Sequence, residues 1–267
     1  MTPRYKIRPA TESDAPHLAH INIVAFHHSP FWHNLFPNLD IAATTPLKLA
    51  RTLAKLADAE SHLLVAEEVS SGRVVGYARW IAPGIDAEDS PAEVSLQDPQ
   101  NLNLVATWRA QQQQQDKTEK SAGQGEEDAP GILHGQEARA GAGGGMNPPG
   151  TNRAVQQRFW GQLERLKGLY VREGDFALEL LATLPEEQGK GVASGLLRWG
   201  LERADRVNAR VYLEATEEGY PIYRKYGWRD LEPFELDFAE YGGQGRQRWI
   251  TMMRDRQKSK PVLDRQQ

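Results

Sequence analysis

Along this chain apolar residues recur at strand or helix spacing in most segments, and the places where the recurrence stops divide the sequence. Tyr5 to Thr11 reads as a short strand, and Thr11-Glu-Ser-Asp14 supplies capping hydroxyls and early acids for a helix. Leu18, Ile21, Val24 and Ala25 recur at three- and four-residue steps. That spacing predicts an amphipathic helix from His17 to Phe26, with Glu12 and Asn22 outside its buried face. Ser29 to Pro37 is rich in proline and aromatic residues (Pro30, Phe31, Trp32, Phe36) and leads to a second predicted helix, Pro46 to Ala57. His62 to Val69 and Val74 to Ile81 read as two strands joined at Ser70-Ser-Gly72, a hairpin.

Periodicity returns at Ala154 to Val171, where Val155, Phe159, Leu163, Leu166 and Leu169 mark one helical face. Phe176 to Leu184 is a nearly continuous apolar run, as expected of a central strand covered on both faces, and its one carboxylate, Glu179, stands out. A glycine-bearing loop follows, then a helix from Val192 to Asn208 with Leu196, Leu197, Leu201 and Ala204 inward. Arg210 to Thr216 reads as a strand, Tyr220 to Tyr226 as a short helix ended by Gly227, and Arg248 to Met253 as a last strand.

Between the two patterned halves, 1–84 and 153–254, periodicity is lost. Gln111 to Gln115, the mixed charges of Asp116 to Lys120 and Gly141-Ala-Gly-Gly-Gly145 cannot bury enough apolar surface to offset their ordering entropy. The stretch reads as a disordered insertion, 85–152 at its widest. Its inner boundary is open, because Gln111 to Gln115 can extend a short helix through Thr107, Trp108 and Arg109. The polar tail 255–267 is expected to fray. With 267 residues and 39% hydrophobic content, the remainder still supports a sizeable core. A formal charge of −4, from 32 basic and 36 acidic residues, gives no drive toward nucleic acid or an anionic membrane. The absence of cysteine rules out disulfides, thiolate catalysis and zinc sites of cysteine type. With neither a signal peptide nor a membrane span in view, a soluble cytoplasmic protein is expected. The His27-His28-x4-His33 spacing fits no metal pattern, so no metal is expected.

Gln188-Gly-Lys-Gly-Val-Ala193 lies between a buried strand and a helix, where glycines let backbone N–H groups approach an anion at the helix N-terminus. A P-loop would need Ser or Thr after the lysine, and a dinucleotide fingerprint would need a glycine where Ser194 stands. The longer stretch Leu181-Ala-Thr-Leu-Pro-Glu-Glu-Gln-Gly-Lys-Gly-Val-Ala-Ser-Gly-Leu-Leu197 resembles motif A of the GNAT superfamily of acyl-CoA-dependent N-acyltransferases, whose signature is Gln/Arg-x-x-Gly-x-Gly/Ala. Tyr212-Leu-Glu-Ala-Thr216 and Ile222-Tyr-Arg-Lys-Tyr-Gly-Trp228 are similar to that family's next strand and its Tyr-x-x-x-Gly-Phe helix end. The specific match runs from about Ala177 to Trp228, and 82–150 has no counterpart in it.

This resemblance implies an α/β fold with a mixed, splayed central sheet flanked by helices. Acetyl-CoA would enter the splay as co-substrate. Its pyrophosphate would lie on the amides of Gln188, Gly189, Lys190, Gly191, Val192 and Ala193, where the helix dipole also favours an anion. Its pantetheine arm would pair with the backbone of Leu181, Ala182 and Thr183. Tyr223 stands four residues before Gly227, where the family keeps the tyrosine that points at the CoA sulfur, and is the candidate general acid. Ala177 occupies the position at which lysine-acetylating members keep a glutamate, a departure from a histone-type enzyme.

Two carboxylates are candidates for the base. Glu179 shares a strand face with Leu181 and Thr183 and is either a base whose pKa burial raises or a structural partner of Arg79 or Arg210. Glu214, with the opposite alternation to Leu213 and Ala215, either faces the cleft or caps the sheet. His27, Phe31, Trp32 and Tyr77 are candidate acceptor-pocket residues that would suit an apolar or aromatic amine, although loop histidines are commonly just surface residues. The expected activity is transfer of an acetyl group from acetyl-CoA to the primary amine of a small molecule by direct attack. Two alternatives stand beside it: a protein or peptide N-acetyltransferase, and an acyl-CoA-binding module without turnover that uses its insertion to bind a partner.

Overall fold

The structure is a computed structural model that describes residues 3–84, 96–122 and 147–257. Seven strands form one sheet: β1 (Tyr5–Pro9), β2 (Ser61–Glu68), β3 (Val74–Ile81), β4 (Phe176–Thr183), β5 (Val211–Ala215), β6 (Arg229–Asp237) and β7 (Arg246–Arg254). Their order is β1-β2-β3-β4-β5-β7-β6, and every neighbouring pair is antiparallel except β4 and β5. Among the described residues, seven α-helices accompany the sheet: α1 (Ala15–Phe26), α2 (Pro30–Leu35), α3 (Thr45–Leu56), α4 (Pro99–Ala122), α5 (Arg153–Tyr170), α6 (Val192–Arg206) and α7 (Tyr220–Lys225). The two halves of the chain meet at β3 and β4, so one sheet spans both sides of the long middle segment.

The elements form where local chemistry favours them. Ser29 caps α2 by accepting from the Trp32 amide at 3.2 Å, and Asn152 caps α5 by accepting from the Val155 amide at 3.2 Å. Helix α6 lies on the sheet because Gly200 leaves room for the ring of Trp80, which a Cβ there would meet at 2.5 Å. Gly76 permits a second close approach, since a Cβ would fall 2.7 Å from Val192 and 2.9 Å from the Ala182 carbonyl. Trp80, Leu196, Leu197, Leu178 and Val211 belong to the core under α6. A second cluster joins Trp32 and Leu47 to Val155, Phe159, Phe234 and Trp249.

Several expectations are corrected. Strand β6 was not anticipated: Pro233 breaks its apolar alternation at a register shift between Asp230 and Pro233, an arrangement an edge strand tolerates. The aromatic linker contains a helix, α2. Leu169 is 48% exposed, so the buried stripe of α5 ends a turn earlier than its periodicity suggests. Asn22 is 7% exposed rather than outward, because α1 is buried over a wide arc that takes in Leu18, Ala19, Ile21 and Ile23. Within the segment 85–152, α4 occupies Pro99–Ala122, and Asn152 caps α5. Glu12 holds the start of α4, accepting from the Gln97 amide at 2.6 Å and from Asn101 at 2.8 Å. The glycine-rich 123–146 and the tail beyond 257 lie outside the described residues. Among the described residues, no helix is long and apolar enough to cross a membrane.

Candidate active site

The parallel neighbours β4 and β5 pair only through Phe176 with Val211 and Ala177 with Tyr212. Beyond that point they diverge, while β3 keeps pairing with β4 as far as Thr183. One edge of β4 is therefore open from Leu178 onward, inside the sheet rather than at its rim. A cavity of about 1000 Å³ occupies the gap and extends toward α1, α2 and α3. Leu181, Ala182 and Thr183 line it, so their unpaired main-chain groups can receive an extended ligand as an added strand.

At the mouth of this gap the chain turns through Gly189 (φ +72°) and Gly191 (φ +91°), left-handed conformations that favour glycine. The first amide bonded within α6 is that of Gly195, to the Gly191 carbonyl at 3.0 Å. The preceding amides, Gly191 through Ser194, are the orphan donors of a helix start, and all four residues line the cavity. Free donors and the positive end of the helix dipole make this an anion site of the kind a pyrophosphate fits. Gln188 and Gly189 also line the cavity, although the Gln188 amide is engaged with the Pro185 carbonyl at 3.3 Å. Lys190 points elsewhere: it is absent from the cavity wall and pairs with Glu187 at 3.3 Å. Glu187 in turn accepts from the Tyr5 hydroxyl at 2.6 Å, which ties the loop to β1.

Both candidate carboxylates line the cavity, in different settings. Glu179 is bound by Arg79 at 3.0 Å, Lys167 at 2.9 Å and Lys55 at 3.7 Å. The pairing with Arg79 is present; Arg210 instead binds Asp175. With both oxygens engaged by cations, Glu179 is their counter-ion, which is the structural-partner alternative with Arg79 in place. Glu214 faces the cavity and accepts from the Tyr212 hydroxyl at 2.7 Å. Burial lifts its pKa above the usual carboxylate range, partly opposed by Lys167 and the Tyr212 hydrogen bond. Tyr223, 8% exposed, packs edge-on against Trp228 with centroids 5.8 Å apart, and burial raises the pKa of its phenol. Gly219 makes room for that ring, since a Cβ there would meet it at 2.9 Å.

The far end of the cavity is walled by His27, Phe31, Trp32 and Tyr77. His27 caps the C-terminal end of α1, with Nδ1 donating to the Val24 carbonyl at 3.1 Å. Phe31 packs at a tilt against Phe159 with ring centroids 4.2 Å apart, and the Tyr77 hydroxyl accepts from the Asn22 amide group at 3.1 Å. Sequence reasoning missed other wall residues: Asn22, Lys48 and Arg51, Trp108 and Arg109 of α4, and Trp160. Lys48 Nζ lies 4.5 Å above the Trp32 ring. Burial, with repulsion from Arg51 and Arg79, holds its pKa down to about 7. The three-residue step between Lys48 and Arg51 was visible, but nothing local showed that it faces a cavity. Among the described residues, no group of three or more His, Asp or Glu could hold a metal ion.

No protein-family model and no curated protein matches the chain. Solved structures do. A structure described as histone acetyltransferase HPA2 and related acetyltransferase from Corynebacterium glutamicum is 18% identical, with 96% of this chain and 98% of that one covered and a TM-score of 0.51. Arylalkylamine N-acetyltransferase 2 from Aedes aegypti is 14% identical, with 95% and 99% covered and a TM-score of 0.54. The Drosophila melanogaster polyamine N-acetyltransferase, which forms N-acetylagmatine, is 12% identical, with 94% and 99% covered and a TM-score of 0.52. The chain has the GNAT fold, as the resemblance of its glycine loop implied.

Proposed function

We propose that this protein transfers an acetyl group from acetyl-CoA to the primary amine of a small molecule by direct attack. The observation that carries the reading is the convergence, in one cavity, of an open β4 edge, the free amides of Gly191 to Ser194, and the side chains of Glu214 and Tyr223. The loop amides and Leu181 to Thr183 would hold acetyl-CoA, which supplies the activated acyl group as a thioester. Glu214 takes a proton from the incoming ammonium, directly or through water, which leaves the amine free to attack. Burial raises the pKa of Glu214 above the usual carboxylate range, which makes it a stronger base for that exchange. Tyr223 gives its proton to the departing thiolate, and the burial that raises its pKa keeps it protonated until then. Glu179 fixes Lys55, Arg79 and Lys167 around the cavity and is a positioning residue.

Small amines are the favoured acceptors because aromatic rings and helices wall the far end of the cavity. The mosquito and fly enzymes of the same fold are named for small amines too. The test is release of free thiol from acetyl-CoA on mixing the purified chain with small amines, polyamines and N-terminal peptides. Release confined to small amines supports the reading, and release confined to peptides replaces it with a protein acetyltransferase. Calorimetric binding of acetyl-CoA without release would leave a binding module. Removal of the Trp32 ring by Trp32→Ala is expected to change selectivity among small amines, read as the ratio of kcat/KM values.

A further inference from the structure

The acceptor end of the cavity is crowded with positive charge. Lys48, Arg51 and Lys55 recur along one stripe of α3 and all line the cavity, joined by Arg79 from β3 and Lys167 from α5. The nearby carboxylates are already engaged: Asp58 with Lys55 at 3.1 Å, Glu179 with Lys55, Arg79 and Lys167, and Glu214 with the Tyr212 hydroxyl. Among the described residues, Lys48 has no acidic partner. Its ammonium rests on the Trp32 indole, and the Arg51 guanidinium lies 5.8 Å from the centroid of the Trp160 ring. An amine with a second positive charge would place that charge against Lys48, Arg51 and Arg79, where repulsion in a partly desolvated pocket is strong.

We infer, resting on the transferase reading above, that the acceptor carries an anionic group, held by Lys48 and Arg51 between the indoles of Trp32 and Trp160 while its amine meets Glu214. The anion is a carboxylate or a phosphate, which cationic side chains bind alike by charge-assisted hydrogen bonds. The rings leave room for an apolar or aromatic body between the two polar ends. The depressed pKa of Lys48, set first by burial and then by repulsion from Arg51 and Arg79, agrees with this. This separates the protein from the polyamine enzyme that shares its fold.

The experiment measures thiol release with matched acceptors on the full chain: 4-(2-aminoethyl)benzoate against phenethylamine, γ-aminobutyrate against putrescine, and O-phosphoethanolamine as the phosphate arm. The anionic member of each pair is expected to have a kcat/KM about 10- to 100-fold higher. O-phosphoethanolamine exceeding both carboxylates would identify phosphate as the anion. Lys48→Met should raise KM for the anionic acceptor by a similar factor with little change in kcat, Lys48→Arg should restore it, and Lys48→Glu should shift preference toward putrescine. Acetyl-CoA affinity, measured on each variant, separates these effects from misfolding. Preference of the native protein for phenethylamine or putrescine would overturn the inference and leave the transferase standing, as would an unchanged anionic preference in Lys48→Met. Acetyl-CoA binding without release from any anionic acceptor also overturns it. Failure to bind acetyl-CoA at all would sink both readings.

Discussion

The two ends of the cleft are built from different material. At the glycine loop the ligand-facing groups are main-chain amides and an unpaired strand edge, supplied by one continuous stretch from Leu178 to Ser194. At the other end they are side chains from α1, α2, α3, α4 and α5, brought together from Asn22 to Lys167. The first end therefore tolerates almost any side chain but constrains backbone conformation tightly. The second tolerates backbone variation but depends on which charges and rings fill it. Changes at the first should alter acetyl-CoA binding for every acceptor alike, and changes at the second should alter which acceptor is used.

The largest effects belong where the ends meet. Tyr223→Phe is expected to lower kcat by about 10²–10⁴ while acetyl-CoA affinity stays nearly constant. An equal loss of affinity would show that the hydroxyl helps to hold acetyl-CoA rather than acting in the chemical step alone. Glu214→Gln should follow, with a fall of about 10²-fold in kcat/KM. Because burial raises the Glu214 pKa, its base form appears only above the ordinary carboxylate range as pH rises. The acidic limb of the kcat/KM profile should lie correspondingly high, and it should vanish in Glu214→Gln. A limb that persists in the variant would assign the proton transfer to another group.

The contrast also explains what the sequence could disclose. The loop end was legible because left-handed glycines, a helix start and a buried strand are local events, written in Pro185 to Gly195 and Phe176 to Leu184. Tyr223 was reachable for the same reason, through its fixed distance from Gly227, which adopts φ +93°. Glu179 and Glu214 could be placed on strand faces by alternation, and Arg79 could be named as a partner of Glu179, but the remaining partners could not. Nothing near Glu179 indicates that Lys55, from α3, and Lys167, from α5, converge on it. Lys48 was invisible because an isolated lysine on an amphipathic helix reads as solvated until the tertiary fold places Trp32 beneath it. Asn22 failed for a related reason, since periodicity assigns a polar residue to the outside and the cavity lies inside.

A pair of neighbouring substitutions sharpens the claim that the loop end is made of backbone. A Cβ on Gly191 would meet nothing within 4 Å, so Gly191→Ala acts through conformation alone, forcing an L-residue to φ +91°. Strain of about 1–2 kcal/mol, relieved by displacing the loop, should weaken acetyl-CoA binding roughly 10-fold by calorimetry. Lys190→Ala removes a whole charged side chain one residue away. That chain is 39% exposed, faces away from the cavity and pairs with Glu187, so affinity should change by about twofold or less. Reversal of that order would mean that the Lys190 charge, rather than the amides, recruits the anion.

The smallest effect tests the other end without any substrate. Lys48 has a pKa near 7 in the folded protein and an ordinary value of 10.5 when unfolded. Between these values the unfolded chain binds a proton that the folded chain does not, so the Lys48 contribution to stability increases as pH rises from about 7 toward 10.5. Below pH 7 the residue is charged in both states, and folding bears the full penalty of burying that charge beside Arg51 and Arg79. Lys48→Met removes the penalty while keeping much of the side-chain volume over Trp32. The variant should therefore melt a few degrees higher than the native protein at pH 6. The advantage should shrink steadily to near zero by about pH 10. A difference in Tm that is independent of pH would show that packing on Trp32, and not the crowded charge, sets the energetics of this end of the cleft.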